Sequence, residues 1–245
     1  MKHLFIVILY LLPAVAFTQT LQLHYDLRHT VNPDRNAKNF PSVYFEYFKT
    51  QTDTESFIKP GSFLFKMETD MQGDQNNIGK AYMQITQTFR CWKFPVFIGV
   101  QYSGGLGVTE PKQYSYYISN SFGIGPNYPF QWKGGYFSAA IYYTKNLLKK
   151  PSNDLMFSFY WWKGFFNYKL EVAGDIELYT LNKNPGGEPN QSLTGKTTCF
   201  FGEPQFWYNL NRAISFGSKQ LLFYHVNTSE NIFEIYPTVA IRVKI

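Results

Sequence analysis

The sequence predicts an all-β fold, a single antiparallel transmembrane β-barrel of about twelve strands. Three observations carry that expectation. In the closing segment, Phe233, Ile235, Val239, Ile241, Val243 and Ile245 share one parity, while Glu234, Thr238, Arg242 and Lys244 share the other. Side chains alternate across a strand, so this segment has one apolar wall and one charged wall. A matching segment opens the mature chain, where Leu21, Leu23, Tyr25 and Leu27 alternate with Gln22, His24, Asp26 and Arg28. These two segments are expected to pair and close the barrel, apolar face toward lipid and charged face toward the lumen. The third observation is composition: 20% aromatic residues, including 19 Tyr and 24 Phe, against only 16% charged residues.

A length of 245 residues suits one large domain or two small ones. Mean hydropathy is −0.27, low for a membrane protein built of helices but natural for a wall that is apolar at every second residue. Residues 1–18 read as a cleaved signal peptide, with Lys2, an apolar run from Leu4 to Leu12, and the small exit Ala14-Val15-Ala16. Residues 19–245 then form the barrel domain. No later stretch approaches the roughly 20 apolar residues a spanning helix needs. The net charge of +6 is modest and forms no basic cluster, so no nucleic-acid partner is expected. Cys91 and Cys199 fall at opposite rims of the strand map and are expected to stay free.

Taken in order, the first strand gives way to a polar loop, His29 to Asn39. The second strand is Ser42–Lys49, with Val43, Phe45 and Tyr47 outward and Glu46 inward. The third, Ser62–Met71, sets Phe63, Phe65 and Met67 against Lys66, Glu68 and Asp70. Gly73 to Asn77 is a turn cluster. The fourth runs Lys80–Arg90 and the fifth Val96–Ser103. A sixth, Tyr114–Gly125, is weakened by Gly123 and Gly125. The seventh is Gly135–Lys145 and the eighth Leu155–Trp162, whose Tyr and Trp end suits an interfacial girdle. In the ninth, Tyr168, Leu170, Val172, Ile176 and Leu178 oppose Lys169, Glu171, Asp175 and Glu177. The tenth is Thr197–Tyr208, the eleventh Ala213–His225, and the twelfth closes the chain. An even count and strand lengths of roughly 8 to 12 residues suit a bacterial barrel. Two connections, 50–61 and 126–134, are long for periplasmic turns, and Pro204 calls for a bulge.

The inward parity gathers the candidate lumen and solute-lining residues: His24, Asp26, Arg28, Tyr44, Glu46, Lys66, Glu68, Asp70, Tyr82, Glu171, Asp175, Phe201, Glu203, Gln205, Trp207 and Arg242. Lys80, Arg90, Lys169, Glu177 and Lys244 share that parity. Charges facing hydrocarbon are costly, whereas a wet or filled lumen accepts them. Such a set either pairs with itself and fills the barrel, or lines a path for small polar solutes with a flat ring. Carboxylates and amides would bond the solute's polar groups while aromatics stack on its ring.

The segment Leu21 to Arg28, the run Lys66-Met67-Glu68-Thr69-Asp70, and Gly202-Glu203-Pro204-Gln205-Phe206 resemble an uncharacterised family of outer-membrane proteins, distantly similar to the Tsx-like nucleoside-specific channels. That resemblance implies a twelve-stranded barrel in the outer membrane and a narrow diffusion channel, with nucleosides as the cargo class. Expected partners are outer-membrane lipid, small polar solutes, and the barrel-assembly machinery, which would read the closing strand although it ends in Ile245 rather than Phe. Two other readings stand beside it. One is an accessory barrel with a plugged lumen. The other is a lipid-modifying enzyme, which needs an activated Ser, a His and an orienting Asn or Asp in the outward register. His24 reads as inward, His29 as a loop residue and His225 as a strand end, so the chain is expected not to be an enzyme, with no catalytic residues. No paired His or Cys spacing suggests a metal, and no cofactor is expected.

Replacing Glu171 or Asp175 by Leu separates the lining reading from the filling one. Altered ion selectivity with intact heat-modifiable folding would mark a lining, and loss of folding would mark cross-lumen pairs.

Overall fold

In a computed structural model, residues 19–50, 57–109, 114–186, 192–226, 228 and 230–245 are described. The signal peptide read at residues 1–18 lies outside them. The chain forms β1 Gln19–Asp26, β2 Phe40–Thr50, β3 Lys59–Asp70, β4 Lys80–Arg90, β5 Phe97–Val108 and β6 Ser115–Trp132. The second half forms β7 Gly135–Asn146, β8 Ser152–Phe165 and β9 Leu170–Asn182. β10 follows in two stretches, Lys196–Gly202 and Gln205–Asn209, then β11 Ile214–Tyr224 and β12 Phe233–Lys244. Each strand pairs antiparallel with its sequence neighbours, and β1 pairs with β12 from Thr20↔Lys244 to Asp26↔Thr238, closing a twelve-stranded barrel. Among the described residues no helix is long and apolar enough to cross a membrane, a fact that bears only on helices.

Closure follows from the alternation. Leu23, Ile141, Leu155 and Val239 point outward and are each more than half exposed, while their sequence neighbours His24, Tyr142, Asp154 and Ala240 are buried inside. This inside-out distribution, polar within and apolar without, is that of an outer-membrane-type barrel. Closure also leaves no edge strand to template aggregation.

Loop lengths distinguish the two ends. At the end holding both termini, β6 and β7 are joined by Lys133-Gly134, whose φ angles of 46° and 75° fit a tight type I′ hairpin. Residues 166–169 and 210–213 make the neighbouring turns. The opposite end carries most of the longer connections, including a short helix over Arg28–Val31, although the long connection expected near 50–61 remains at the turn end as residues 51–58.

Several expected boundaries shift. β6 does not stop at Gly125 but continues through Pro126 and Pro129 to Trp132, so the awkward connection at 126–134 disappears. These prolines, which read as loop punctuation, are accepted because β5 and β7 hold the ladder on both sides. β5 likewise runs through Gly104 and Gly105 to Val108. Lys169 lies in an exposed turn rather than in the lumen.

The expected bulge at Pro204 is absent. β10 pairs Gly202↔Ile176 and Gln205↔Ala173, so register is kept across Glu203-Pro204. Pro204 has no N–H to donate, and the partner strand adapts instead. Gly174 takes φ +146°, and a Cβ there would stand 2.7 Å from the Glu203 carbonyl oxygen and 2.8 Å from the Pro204 Cα. Glu203 N–H donates to the Asp175 carbonyl at 2.9 Å, which fixes Glu203 in the inward register. The register shifts instead fall between Pro60 and Phe63 and between Gly105 and Leu106.

Gly174→Ala is therefore expected to destabilise the folded barrel by about 1–3 kcal/mol, the usual cost of forcing a side chain into such a backbone. Urea unfolding of detergent-refolded protein measures it, with Gly123→Ala as a control in ordinary extended backbone.

Candidate functional site

The inward side chains assemble in layers, beginning at the end with the termini. Glu171 of β9 accepts from Arg242 Nη2 at 2.6 Å, from Asn209 Nδ2 at 2.8 Å, and from Lys244. The Arg242 guanidinium lies 4.6 Å from the Trp207 ring centre, and Trp207 donates to Gln205 Oε1 at 3.0 Å. His24 bonds to the Thr238 hydroxyl at 2.9 Å and to Gln22 Oε1 at 2.8 Å, with its ring edge toward Tyr44 and Trp207. His24, Trp207 and Lys219 each have 0% exposure.

The next layer crosses the barrel. Lys66 of β3 donates to Asp175 of β9 and, at 2.5 Å, to Glu203 of β10. β3 and β9 sit halfway round the ring from each other, so this ion pair spans the lumen. Lys219 of β11 donates to Glu68 of β3 at 2.7 Å and lies 4.5 Å from the Tyr44 ring centre. The Tyr44 hydroxyl donates toward Glu46 at 2.9 Å and Glu203 at 3.3 Å. Lys66, Asp175 and Glu203 are all at most 4% exposed. Charges this dry are tolerable only when paired, and removing one partner of such a pair costs far more than the pair itself contributes.

Above this lock, toward the long loops, is a cavity of about 250 Å³. Lys66, Glu203 and Tyr44 form its floor; Glu68, Asp70, Tyr82, Phe201, Glu177 and Tyr179 are among its walls. Arg28, Lys80 and Phe223 line both this cavity and a wider one of about 600 Å³ among the loops. Arg28 is held by Asp26 at 2.8 and 3.0 Å and stands 4.7 Å from both the Phe40 and the Tyr236 ring centres. A third cavity of about 50 Å³ lies lower, against β2 to β9, and shares Gln84 and Gln101 with the main one. Gln84 donates to Glu177 at 2.8 Å at that junction. Phe48, Tyr136 and Tyr160 close in below, with ring centres 5.2 to 6.2 Å apart.

The expected lumen residues thus divide. Arg28, Tyr44, Lys66, Glu68, Asp70, Tyr82, Phe201 and Glu203 border the main cavity. Asp175 borders the lower one. His24, Asp26, Glu46, Glu171, Gln205, Trp207 and Arg242 belong to the packed wall. Lys219 was absent from the expected set. Its strand has a buried Leu221 beside outward Leu222, which blurs the alternation; pairing against β12, Leu222↔Ile235, would have placed it inward. Cys91 is exposed and Cys199 buried, both free.

The model of a domain of unknown function, DUF5020, matches residues 18–245. The chain belongs to that family. Membership agrees with an uncharacterised barrel family and says nothing of the Tsx-like channels. No curated protein matches the chain. Among solved structures, LpxR from Salmonella typhimurium is similar over 93% of this chain and 99% of its own, at 7% identity and a TM-score of 0.42. LpxR is an outer-membrane lipid A deacylase, which corrects the expectation that a barrel of this kind is not an enzyme. At that distance the likeness carries nothing about which residues of DUF5020 act, or on what.

Lys66→Met should destabilise the barrel by about 3–5 kcal/mol, because it strands Asp175 and Glu203 in a dry interior. The double variant Lys66→Met/Asp175→Leu should recover part of that loss. Equilibrium urea unfolding of the two variants measures the difference.

Proposed function

We propose that this DUF5020 barrel resides in the outer membrane, with its short turns in the periplasm, and is a narrow conduit for small polar solutes that rests closed. The observation that carries this reading is the run of three cavities in series. The loop cavity meets the main cavity at Arg28 and Lys80, and the main cavity meets the lower one at Gln84 and Gln101. The main cavity reaches from Tyr44 and Phe201 to Leu221; below it the ion-pair lock fills the remaining cross-section, so the route continues past Gln84 and Gln101 along the inner face of β2 to β9.

The chemistry along that route favours uncharged or zwitterionic solutes. Cationic Arg28 and Lys80 stand at the mouth, where Asp70 faces Lys80 across the β3–β4 ladder; carboxylates Glu68 and Glu177 stand deeper, and amides Gln84 and Gln101 hold the junction. A cation or an anion alone would meet repulsion at one of the two levels. Tyr82, Tyr179, Phe201 and Phe223 offer flat faces for a ring, which makes nucleosides a reasonable first cargo class to test. The accessory reading draws on the same lock, taken as a permanent plug.

Planar-bilayer recording distinguishes them. Wild-type protein is expected to show small, intermittent conductance. Phe48→Ala/Tyr160→Ala, which opens the lower aromatic closure, should raise it several-fold, and added nucleoside should reduce the current. Silence in both proteins at every voltage would overturn the conduit and favour the accessory barrel.

A further inference from the structure

A second charged cluster lies outside the lumen, on the outer wall at the turn end. Trp132 closes β6 in the outward parity of Tyr128 and Phe130, and Lys133 begins the tight turn after it. On the adjoining hairpin, Phe159, Trp161, Lys163 and Phe165 share the outward parity of β8. The Lys133 ammonium stands 5.0 Å from the Trp132 ring centre. The Lys163 ammonium stands 5.4 Å from the same ring and 5.1 Å from that of Phe165. Two like charges therefore share one indole. Among the described residues neither lysine has a carboxylate partner, in contrast to Lys66, Lys219 and Lys244 within the lumen.

The surroundings define what could neutralise them. An apolar shelf extends from the pair toward mid-barrel, with Phe130, Phe137, Phe159 and Trp161 stacked in sequence at 5.3 to 6.2 Å. The turn Phe166-Asn167-Tyr168 has three consecutive non-glycine residues at φ 51°, 53° and 62°, a strained backbone that leaves Phe166 78% exposed. A lysine in the lipid-facing register is costly unless its head reaches the headgroup layer. The complementary occupant is amphiphilic: an anionic phosphate between the ammoniums and acyl chains along the aromatic shelf. A zwitterionic headgroup would bring a cation of its own beside the two lysines, so an acidic headgroup fits better.

We propose that Trp132, Lys133, Lys163 and Phe165 form a binding site for an acidic glycerophospholipid of the periplasmic leaflet. The site rests on the membrane placement proposed above and is independent of solute passage.

Native mass spectrometry of the refolded barrel from micelles containing equal phosphatidylglycerol and phosphatidylcholine tests this directly. Wild-type protein should retain phosphatidylglycerol preferentially. Lys133→Gln/Lys163→Gln should reduce that preference roughly 30-fold, taking the usual contribution of each interfacial lysine. Lys133→Arg/Lys163→Arg should keep it, and Lys149→Gln/Lys150→Gln, in a loop at the far end, should leave it unchanged. Heat-modifiable migration in phosphatidylcholine alone checks folding and insertion of every variant, so failed placement is distinguishable from a failed lipid site. Equal preference in wild type and the Gln pair would overturn the site. Displacement of the lipid by millimolar inorganic phosphate would overturn it as a lipid site, marking a simple anion site instead.

Discussion

The ion pair between Lys66 and its two carboxylates, Asp175 and Glu203, sets the interior of this barrel. It joins strands on opposite sides of the ring, and everything else inside is arranged around it. One level higher Lys219 of β11 reaches Glu68 of β3, and near the termini Arg242 and Lys244 of β12 bond Glu171 of β9. Lys66, Asp175, Glu203, Lys219, Glu171 and Arg242 are buried from water, while Glu68 and Lys244 stay partly exposed. Their pairing is a requirement of the fold, because a barrel wall that turns its apolar side to lipid must turn its polar side inward. In the proposed conduit, the filled half of the lumen would confine a solute to the other half.

That constraint explains the backbone detail at β10. Glu203 must reach the centre of the lumen, yet it precedes Pro204, which cannot donate to the ladder. The strand holds its register, and Gly174 opposite takes a conformation open to glycine. The cost falls on a residue with no side chain, and the inward direction of Glu203 is preserved. The same division of labour shows at the outer wall, where Trp132 and Lys163 lie at strand ends and the middle of each strand stays apolar.

Much of this was legible in the sequence, for a physical reason. Lipid selects apolar residues at one parity, so the direction of Leu21 through Arg28, or of Val239 through Ile245, could be read residue by residue. Extents were harder: Pro126 and Pro129 resemble loop residues until neighbours are known to hold their strand. Parity tells which way a side chain points but not how far it reaches. Asp175 and Glu171 could be assigned to the lumen, yet nothing local distinguishes a residue lining a cavity from one locked across it. Lys219 escaped because Leu221 and Leu222 are both apolar, one packed inside and one outside.

In the proposed conduit the lumen divides into a packed half and a passable half. Substituted-cysteine accessibility tests this most directly, in a Cys91→Ser/Cys199→Ser background of the barrel in liposomes. Gln101→Cys, on the passable side, should react with a small charged methanethiosulfonate reagent. Ser215→Cys, buried beside Arg242 and Asn209, should stay unmodified until the barrel is unfolded. Equal labelling at both positions in the folded barrel would contradict a divided lumen.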